Sequence, residues 1–353
     1  MMFLSLLLLL AVAAPPAGTG TLIVLNKAEA TASLIDLGTG AIVATVPTGT
    51  GPHEATVSPD GRLAVVCDYG TREAPGSTLT VIDVPAGRVA RTIPLGTYRR
   101  PHGITWLQGT SRVLVTAEAD RRLLTVDIES GQVTTSVETD QDTSHMVVAS
   151  PDGKRAFVAN IGSGSVTVID LAAGTRLANI PTGAGAEGIA ITPDGRHVWI
   201  TNRAADTVSV LDAASLKILA TLESKSFPIR ARATPDGRYV LVSNARTGDL
   251  AVFDTREQKE VRRVTLQLAA ADLSGRLFGD QFGDSSVPIG ILIPPDGRFA
   301  YVAHANADVI SIVDLGEWKS VGTLRAGREP DGMAYSALQV RPNGAPSAPT
   351  TAR

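Results

Sequence analysis

A short β-branched run that ends in aspartate recurs seven times along this 353-residue chain. The copies are separated by 42 to 47 residues, except for one interval of 60, and they end at Asp36, Asp83, Asp127, Asp170, Asp212, Asp254 and Asp314. Spacings in this range are typical of β-propellers, in which each repeat forms a four-stranded blade. Because stacked repeats share one continuous core, the pattern predicts a single repeat domain instead of the two domains that this length suggests.

Turn signals divide each repeat into short strands. The triplet Pro-Asp-Gly, which favours a tight turn because Pro fixes φ and Gly tolerates a positive φ, begins at Pro59, Pro151, Pro193, Pro235 and Pro295. Between the turns the residues alternate with period two, as in residues 207–211, and long 3.6-residue periodicity is missing. The chain is therefore predicted to be all-β, with seven antiparallel four-stranded blades.

Two stretches carry a family resemblance. Residues 150–160 (SPDGKRAFVAN) and 165–170 (SVTVID) resemble the YVTN family of β-propeller repeats, and the likeness extends over about residues 20–340. The resemblance implies a seven-bladed propeller. It implies no single function, because the family includes surface-layer proteins, binding scaffolds and relatives of lactonases and of cytochrome d1-type haem domains.

The two ends of the repeat region complement each other. The first copy begins with residues 21–26, which match a second strand, whereas residues 330–336 match a first strand that has no successor. We therefore predict that the two segments pair within one blade and close the ring, which leaves no open sheet edge.

The flanking segments predict export. Residues 1–17 contain an apolar run that is typical of a signal peptide, residues 18–340 form the propeller domain, and residues 341–353 are predicted to be a disordered tail. No later segment is apolar enough to span a membrane once the signal is cleaved. The mature protein is expected to be periplasmic or secreted.

Charge and cysteine content narrow the choice of partners. The chain has 32 basic and 35 acidic residues without a basic cluster, which disfavours a nucleic-acid partner. Its one cysteine excludes an internal disulfide and paired-cysteine zinc sites. We expect a monomer that binds a small molecule or a protein partner in the periplasm.

Aligning the repeats on their turns superposes one residue at the start of each innermost strand. The seven occupants are His53, His102, His145, Glu187, Ile229, Ile289 and Asp331. In a propeller this position surrounds one mouth of the central channel. We therefore predict a metal site for zinc, copper or iron, with His53, His102, His145 and Glu187 as ligands, and a polar pocket without metal as the alternative. The fifth histidine, His197, belongs to the opposite face.

A second superposable position ends the second strand of each repeat. Its occupants are Asn26, Asp68, Glu118, Asn160, Asn202, Asn244 and His304. Asp68 and Glu118 are expected to orient the histidines of their own blades. Together with Arg230, His304 and Asp331 they are predicted to bind the ligand, although Arg230 could equally tie blades together.

Two insertions interrupt the repeat, one at about residues 269–286 and a smaller one at about residues 71–76. Strand direction places both beside the histidines as candidate lids.

The favoured function is an exported propeller that binds a small ligand or a metal ion in its funnel. The alternatives are a metal-dependent hydrolase, lactonase or lyase that uses the histidine trio, and a cell-surface interaction protein.

Overall fold

The computed structural model describes residues 18–266, 268 and 272–341. The predicted signal peptide, the first residues of the large insertion and all of the predicted tail except Arg341 lie outside these ranges. The described residues form seven four-stranded antiparallel sheets, numbered here as blades I to VII. The prediction of an all-β, seven-bladed propeller is confirmed. Among the described residues, no helix has the length and apolar character needed to cross a membrane.

The strands follow one another regularly along the chain. Blade I contains β1 (Thr21–Asn26), β2 (Thr31–Asp36), β3 (Ala41–Pro47) and β28 (Pro330–Ser336). Blade II contains β4 (Pro52–Val57), β5 (Leu63–Gly70), β6 (Pro75–Asp83) and β7 (Arg88–Pro94). Blade III contains β8 (Pro101–Trp106), β9 (Arg112–Ala117), β10 (Arg122–Asp127) and β11 (Gln132–Glu138). Blade IV contains β12 (Ser144–Ala149), β13 (Arg155–Asn160), β14 (Ser165–Asp170) and β15 (Thr175–Pro181).

The remaining blades repeat this order. Blade V contains β16 (Ala186–Ile191), β17 (His197–Asn202), β18 (Thr207–Asp212) and β19 (Ile218–Glu223). Blade VI contains β20 (Pro228–Ala233), β21 (Tyr239–Asn244), β22 (Asp249–Asp254) and β23 (Lys259–Thr265). Blade VII contains β24 (Pro288–Leu292), β25 (Phe299–His304), β26 (Val309–Asp314) and β27 (Lys319–Arg325). Two short 3₁₀ turns, Lys27–Glu29 and Glu118–Asp120, follow β1 and β9.

Blade I closes the ring as predicted. Its strand order is β28-β1-β2-β3, and β28 pairs antiparallel with β1 from Thr21 opposite Ser336 onward. The side chain of Asn26 also accepts a hydrogen bond from the backbone N–H of Gly327, at 2.9 Å. The last strand of the repeat region therefore lies beside the first.

The hydrophobic core lies between the faces of neighbouring blades. Side chains of β5 and β6, such as Val65 and Val81, pack against Val113 and Val115 of β9 in the next blade. The outermost strands alternate between half-buried and exposed residues, or are largely exposed, because only one of their faces meets a neighbour. The period-two pattern of the sequence thus corresponds to blade packing.

The innermost strands depart from regular pairing near the channel mouth. In six blades the ladder with the second strand skips the second and third residues of the innermost strand. Glycine occupies the third position in four blades because adjacent strands approach closely there: a Cβ on Gly103 would lie 2.4 Å from the carbonyl oxygen of His145. The second residues are left free of the ladder at the mouth.

Candidate functional site

The second residues of the seven innermost strands surround one cavity at the channel mouth. The cavity has a volume of about 480 Å³ and is lined by all seven of them: His53, His102, His145, Glu187, Ile229, Ile289 and Asp331. The structure therefore brings together the residues that the turn alignment superposes.

Three imidazoles lie side by side on this rim. The ring centroids of His53 and His102 are 4.6 Å apart, and those of His102 and His145 are 3.6 Å apart. His53 donates from Nδ1 to the carbonyl oxygen of Gly51 at 3.1 Å, because a carbonyl can only accept, and its Nε2 keeps a free lone pair. His102 has no hydrogen bond at either ring nitrogen among the described residues, and its Nδ1 is fully enclosed.

The first two imidazoles are neutral at neutral pH. Burial lowers the pKa of His53 to about 3, and it lowers the pKa of His102 well below its ordinary value. The positive charges nearby act in the same direction. A neutral imidazole with an unengaged nitrogen is the form that binds metal ions.

His145 differs because it lies between two carboxylates. Its Nδ1 is 2.9 Å from Glu118 and its Nε2 is 3.5 Å from Glu187. Burial opposes protonation, but the hydrogen bonds and charges of both carboxylates outweigh it, so the pKa of His145 is raised. Burial likewise opposes ionisation of Glu187, yet His145, Arg203 and Arg230 lower the pKa of that carboxyl to about 2.

One group of side chains at the mouth has the geometry of a metal site. A ligand atom from each of His102, His145 and Glu118 lies within 4.8 Å of the other two. Bonds of about 2.0–2.2 Å require ligand atoms roughly 3–4 Å apart, so binding would need side-chain shifts of up to about 1 Å. This group keeps two members of the predicted ligand set and adds Glu118, while His53 and Glu187 lie beside it.

Glu118 occupies a different position from the one predicted. The innermost strand β8 pairs Pro101 with Ala117, so Ala117, and not Glu118, is the equivalent of the strand-ending asparagines. Glu118 belongs to the next position, and there it bonds His145 of the following blade and the hydroxyl of Tyr69 at 2.6 Å. The prediction that Glu118 orients His102 of its own blade is wrong.

The position after the second strand forms a ring of its own around the cavity. Its occupants are Lys27, Tyr69, Glu118, Ile161, Arg203, Ala245 and Ala305. Lys27, Tyr69 and Arg203 line the cavity, and the sequence interpretation missed all three. Aligning the repeats one residue further along would have found them, because successive strand residues point to opposite sides and the strand-ending asparagines point away from the channel.

Asp68 and His304 lie behind the cavity wall. The Asp68 carboxylate accepts hydrogen bonds from Thr78, Thr80 and the backbone N–H of Gly49, and therefore does not orient His53 as predicted. His304 is fully buried between two serine hydroxyls, with Nδ1 2.8 Å from Ser286 and Nε2 2.9 Å from Ser311. Neither residue lines the cavity. The hydrogen bonds of each hold the segment that leads into the innermost strand of its own blade.

Arg230 and Glu54, each one residue after a rim position, form an ion pair between blades VI and II. The guanidinium of Arg230 donates to Glu54 at 2.9 and 3.1 Å and to Glu187 at 3.0 Å, and it lies 3.8 Å from Asp331. These partners come from blades II, V and I, whereas Arg230 belongs to blade VI. Arg230 therefore ties blades together, the alternative that the sequence left open, and it also lines the cavity.

Blades VI and VII make one side of the cavity apolar. There Ile229 and Ile289 stand where the other blades carry His, Glu or Asp, and they pack in one cluster with Phe282 of the large insertion and with Phe278. Leu277 and Phe278 of this loop line the cavity, and so do Thr71 and Arg72 of the smaller insertion. Both insertions thus reach the predicted face.

The large insertion is fastened to the ring. Arg276, whose side chain is 4% exposed, forms a two-pronged ion pair with Asp308 at 2.6 and 2.7 Å. The backbone N–H of Leu277 donates to Glu329 at 2.8 Å. In spite of these anchors, Leu277 is 58% exposed at the edge of the cavity.

Comparison with known proteins shows that many solved structures share this propeller fold. Residues 105–275 match the family model of YNCE-like β-propellers, which confirms the resemblance seen in the repeats. Hydrazine synthase from Kuenenia stuttgartiensis is 19% identical, with a TM-score of 0.67 over 81% of this chain and 90% of that one. A functionally unknown protein from Desulfotomaculum acetoxidans is 12% identical, with a TM-score of 0.74 over 90% and 99% of the two chains.

A third solved structure is similar as well. Dihydro-heme d1 dehydrogenase NirN in complex with DHE is 16% identical, with a TM-score of 0.63 over 91% of this chain and 76% of that one. At these identities the likenesses establish the fold alone. A search of curated protein sequences gave no match.

Proposed function

We propose that this YNCE-like β-propeller is an exported binding protein that holds one transition-metal ion, zinc, copper or iron, at its channel mouth through His102, His145 and Glu118. The observation that carries the proposal is the convergence of these three donors within 4.8 Å of one another. Two imidazoles and a carboxylate are a donor set that suits these metals.

The state of the donors supports this function. A buried polar atom without a hydrogen bond costs about 1–3 kcal/mol, and the enclosed Nδ1 of His102 is such an atom. His53 presents a free Nε2 beside the group, fixed by its hydrogen bond to Gly51. A metal ion would engage ring nitrogens of His102 and His53 that otherwise have no partner among the described residues, and it would replace the hydrogen bond between His145 and Glu118.

The test is metal binding by the purified protein. Equilibrium dialysis with Zn²⁺, followed by elemental analysis, is expected to give one ion per chain. The double variant His102→Ala/His145→Ala is expected to lose this ion. His197→Ala is the matched control, because His197 is on the opposite face of the ring among the turns that border a separate groove, and it should bind as the unaltered protein does.

Glu118→Gln tests the role of the Glu118 carboxylate in metal binding while preserving the size of the side chain for folding. The amide keeps the shape and can still bond to Tyr69, but it removes the charge of a ligand. Metal affinity is therefore expected to fall at least about tenfold, the lower bound for losing a residue that only supports a ligand. A Co²⁺ titration followed by visible absorption would show the changed coordination directly. Unaltered protein that stays free of metal at micromolar Zn²⁺ and Co²⁺ would refute the function.

A second candidate function is metal-dependent hydrolysis or lyase chemistry. The observation in its favour is the cavity of about 480 Å³ in front of the donors, which leaves room for a substrate beside the ion. Turnover of a lactone or ester by the metal-loaded protein, lost in the double variant and kept in His197→Ala, would support it. Stoichiometric metal without turnover would favour binding alone.

Export is tested separately. Residues 1–17 are expected to be removed as a signal peptide, so the N-terminal sequence of protein recovered from the extracytoplasmic fraction should begin near Gly18. Full-length chain retained in the cytoplasm would contradict export without affecting the metal site.

A further inference from the structure

The cavity at the channel mouth has two chemically different sides. Lys27, the three rim histidines and Arg203 lie on blades I to V, whereas Ile229 and Ile289 lie on blades VI and VII. Ala245 of blade VI and Ala305 of blade VII pack in the same cluster as Ile229 and Ile289. A ligand that fits both sides must be amphipathic.

Lys27 lines the cavity and is only loosely paired with a carboxylate. Its side chain is 15% exposed, and its nearest carboxylate oxygen, on Asp331, is 3.7 Å away, beyond hydrogen-bond distance. The Nζ of Lys27 makes no hydrogen bond with the residues that the structure describes. In contrast, Arg203 and Arg230 both contact Glu187, at 2.6 and 3.0 Å. A largely buried ammonium that faces a cavity is suited to bind an anion.

The apolar side of the cavity contains a large apolar side chain that remains exposed to solvent. Leu277 of the fastened insertion is 58% exposed and lines the cavity. The backbone N–H groups of Leu277 and Lys27 both donate to Glu329, so the apolar side begins next to Lys27. Phe278, beside Leu277, packs on Phe282 with ring centroids 5.7 Å apart. Burying such a side chain against an apolar ligand would be favourable, because each buried methylene of the ligand strengthens binding about fourfold.

From these features we infer that the cavity binds a small organic carboxylate with an apolar body, whose carboxylate lies at Lys27 and whose body lies on Ile229 and Ile289 beneath Leu277. The site does not require the metal ion, so it extends the proposed function without depending on it. The volume of about 480 Å³ accommodates a ligand of this size.

Isothermal titration with three probes tests the inference. Hexanoate carries both features, acetate carries only the anion, and hexanamide carries the apolar body without the charge. Hexanoate is expected to bind at least tenfold more tightly than either of the others. Equal binding of hexanoate and hexanamide, or of hexanoate and acetate, would overturn the inference.

Two variants assign the two ends of the ligand. Lys27→Met keeps the length of the side chain and is expected to weaken hexanoate at least tenfold while leaving hexanamide unchanged. Lys154→Met is the matched control, because Lys154 is 79% exposed in a turn of the opposite face. Leu277→Ser changes an exposed residue, so folding is preserved, and it is expected to weaken hexanoate but not acetate.

Running every titration with and without Zn²⁺ distinguishes the two proposals. Hexanoate binding that survives chelation and depends on Lys27 supports the carboxylate site even if no metal binds. If Lys27→Met, with an unchanged thermal midpoint, binds hexanoate as tightly as the unaltered protein, the carboxylate site is refuted and the metal proposal stands on its own measurements.

Discussion

Replacing His304 by Asn removes a buried imidazole that must stay neutral. Burial lowers the pKa of His304 from 6.5 to about 3. The unfolded chain therefore takes up this proton first as the pH falls through 6.5, and the folded state loses stability from there down to about pH 3. The loss approaches about 1.4 kcal/mol per pH unit, and between pH 7.5 and 5 it amounts to about 2 kcal/mol.

Asparagine is the natural substitute because four other blades carry it at this position. In three of those blades the amide, of Asn26, Asn160 or Asn202, donates to a hydroxyl seven residues further on, at 2.9 to 3.0 Å. Ser311 holds the same place after His304. The substitution therefore replaces one hydrogen-bonding side chain by another that does not titrate.

Urea unfolding, followed by tryptophan fluorescence in the presence of a chelator, measures the effect. The fall in the free energy of unfolding from pH 7.5 to 5 is expected to be about 2 kcal/mol smaller in His304→Asn than in the unaltered protein. Ser33→Ala, which removes the hydroxyl that Asn26 contacts at the same place in blade I and no titratable group, should lower the free energy of unfolding by a similar amount at both pH values. If the unaltered protein and His304→Asn lose equal stability over this range, the imidazole is not held neutral and the reasoning fails.

Two further predictions concern the channel. Gly103→Ala places a Cβ 2.4 Å from the carbonyl oxygen of His145, so it is expected to lower the free energy of unfolding by about 1–3 kcal/mol and to weaken metal binding. The control Gly322→Ala, whose Cβ would have no atom nearer than 3.9 Å, should do neither. Urea unfolding and zinc dialysis measure the two effects. Glu54→Leu removes the carboxylate that accepts two hydrogen bonds from Arg230, and is expected to cost about 3 kcal/mol by the same unfolding assay; a loss below about 0.5 kcal/mol would mean that this ion pair contributes little.

The repeat pattern was sufficient to predict the architecture. Turn triplets and strand-ending aspartates recur at fixed offsets, so counting them predicts the number of blades and the position of each innermost strand. Blade closure followed from residues 21–26 and 330–336, because a strand without a partner in sequence must find one in space. Local chemistry and global fold agree at these positions, which is why the predictions succeeded.

The candidate site was only partly predictable. His53, His102 and His145 were found because they share one repeat position. Glu118 was assigned to the wrong ring because this repeat was aligned one residue too far along. Its turn triplet begins at Gln108, and Ala117 lies nine residues after Gln108, as Asn160 lies nine residues after Pro151. A shift of one residue moves a side chain to the other face of a strand. Glu54 was missed because its contact with Arg230 crosses the channel.

Ring closure completes the cavity wall. Lys27 follows β1 and Asp331 belongs to β28, so the two sides of this part of the wall come from opposite ends of the repeat region. The ligand pocket cannot exist until the final strand has docked beside the first. A ligand at Lys27 would then stabilise the closed ring against opening, since it binds only when the ring is closed. Occupancy of the pocket would therefore report that the propeller is fully assembled.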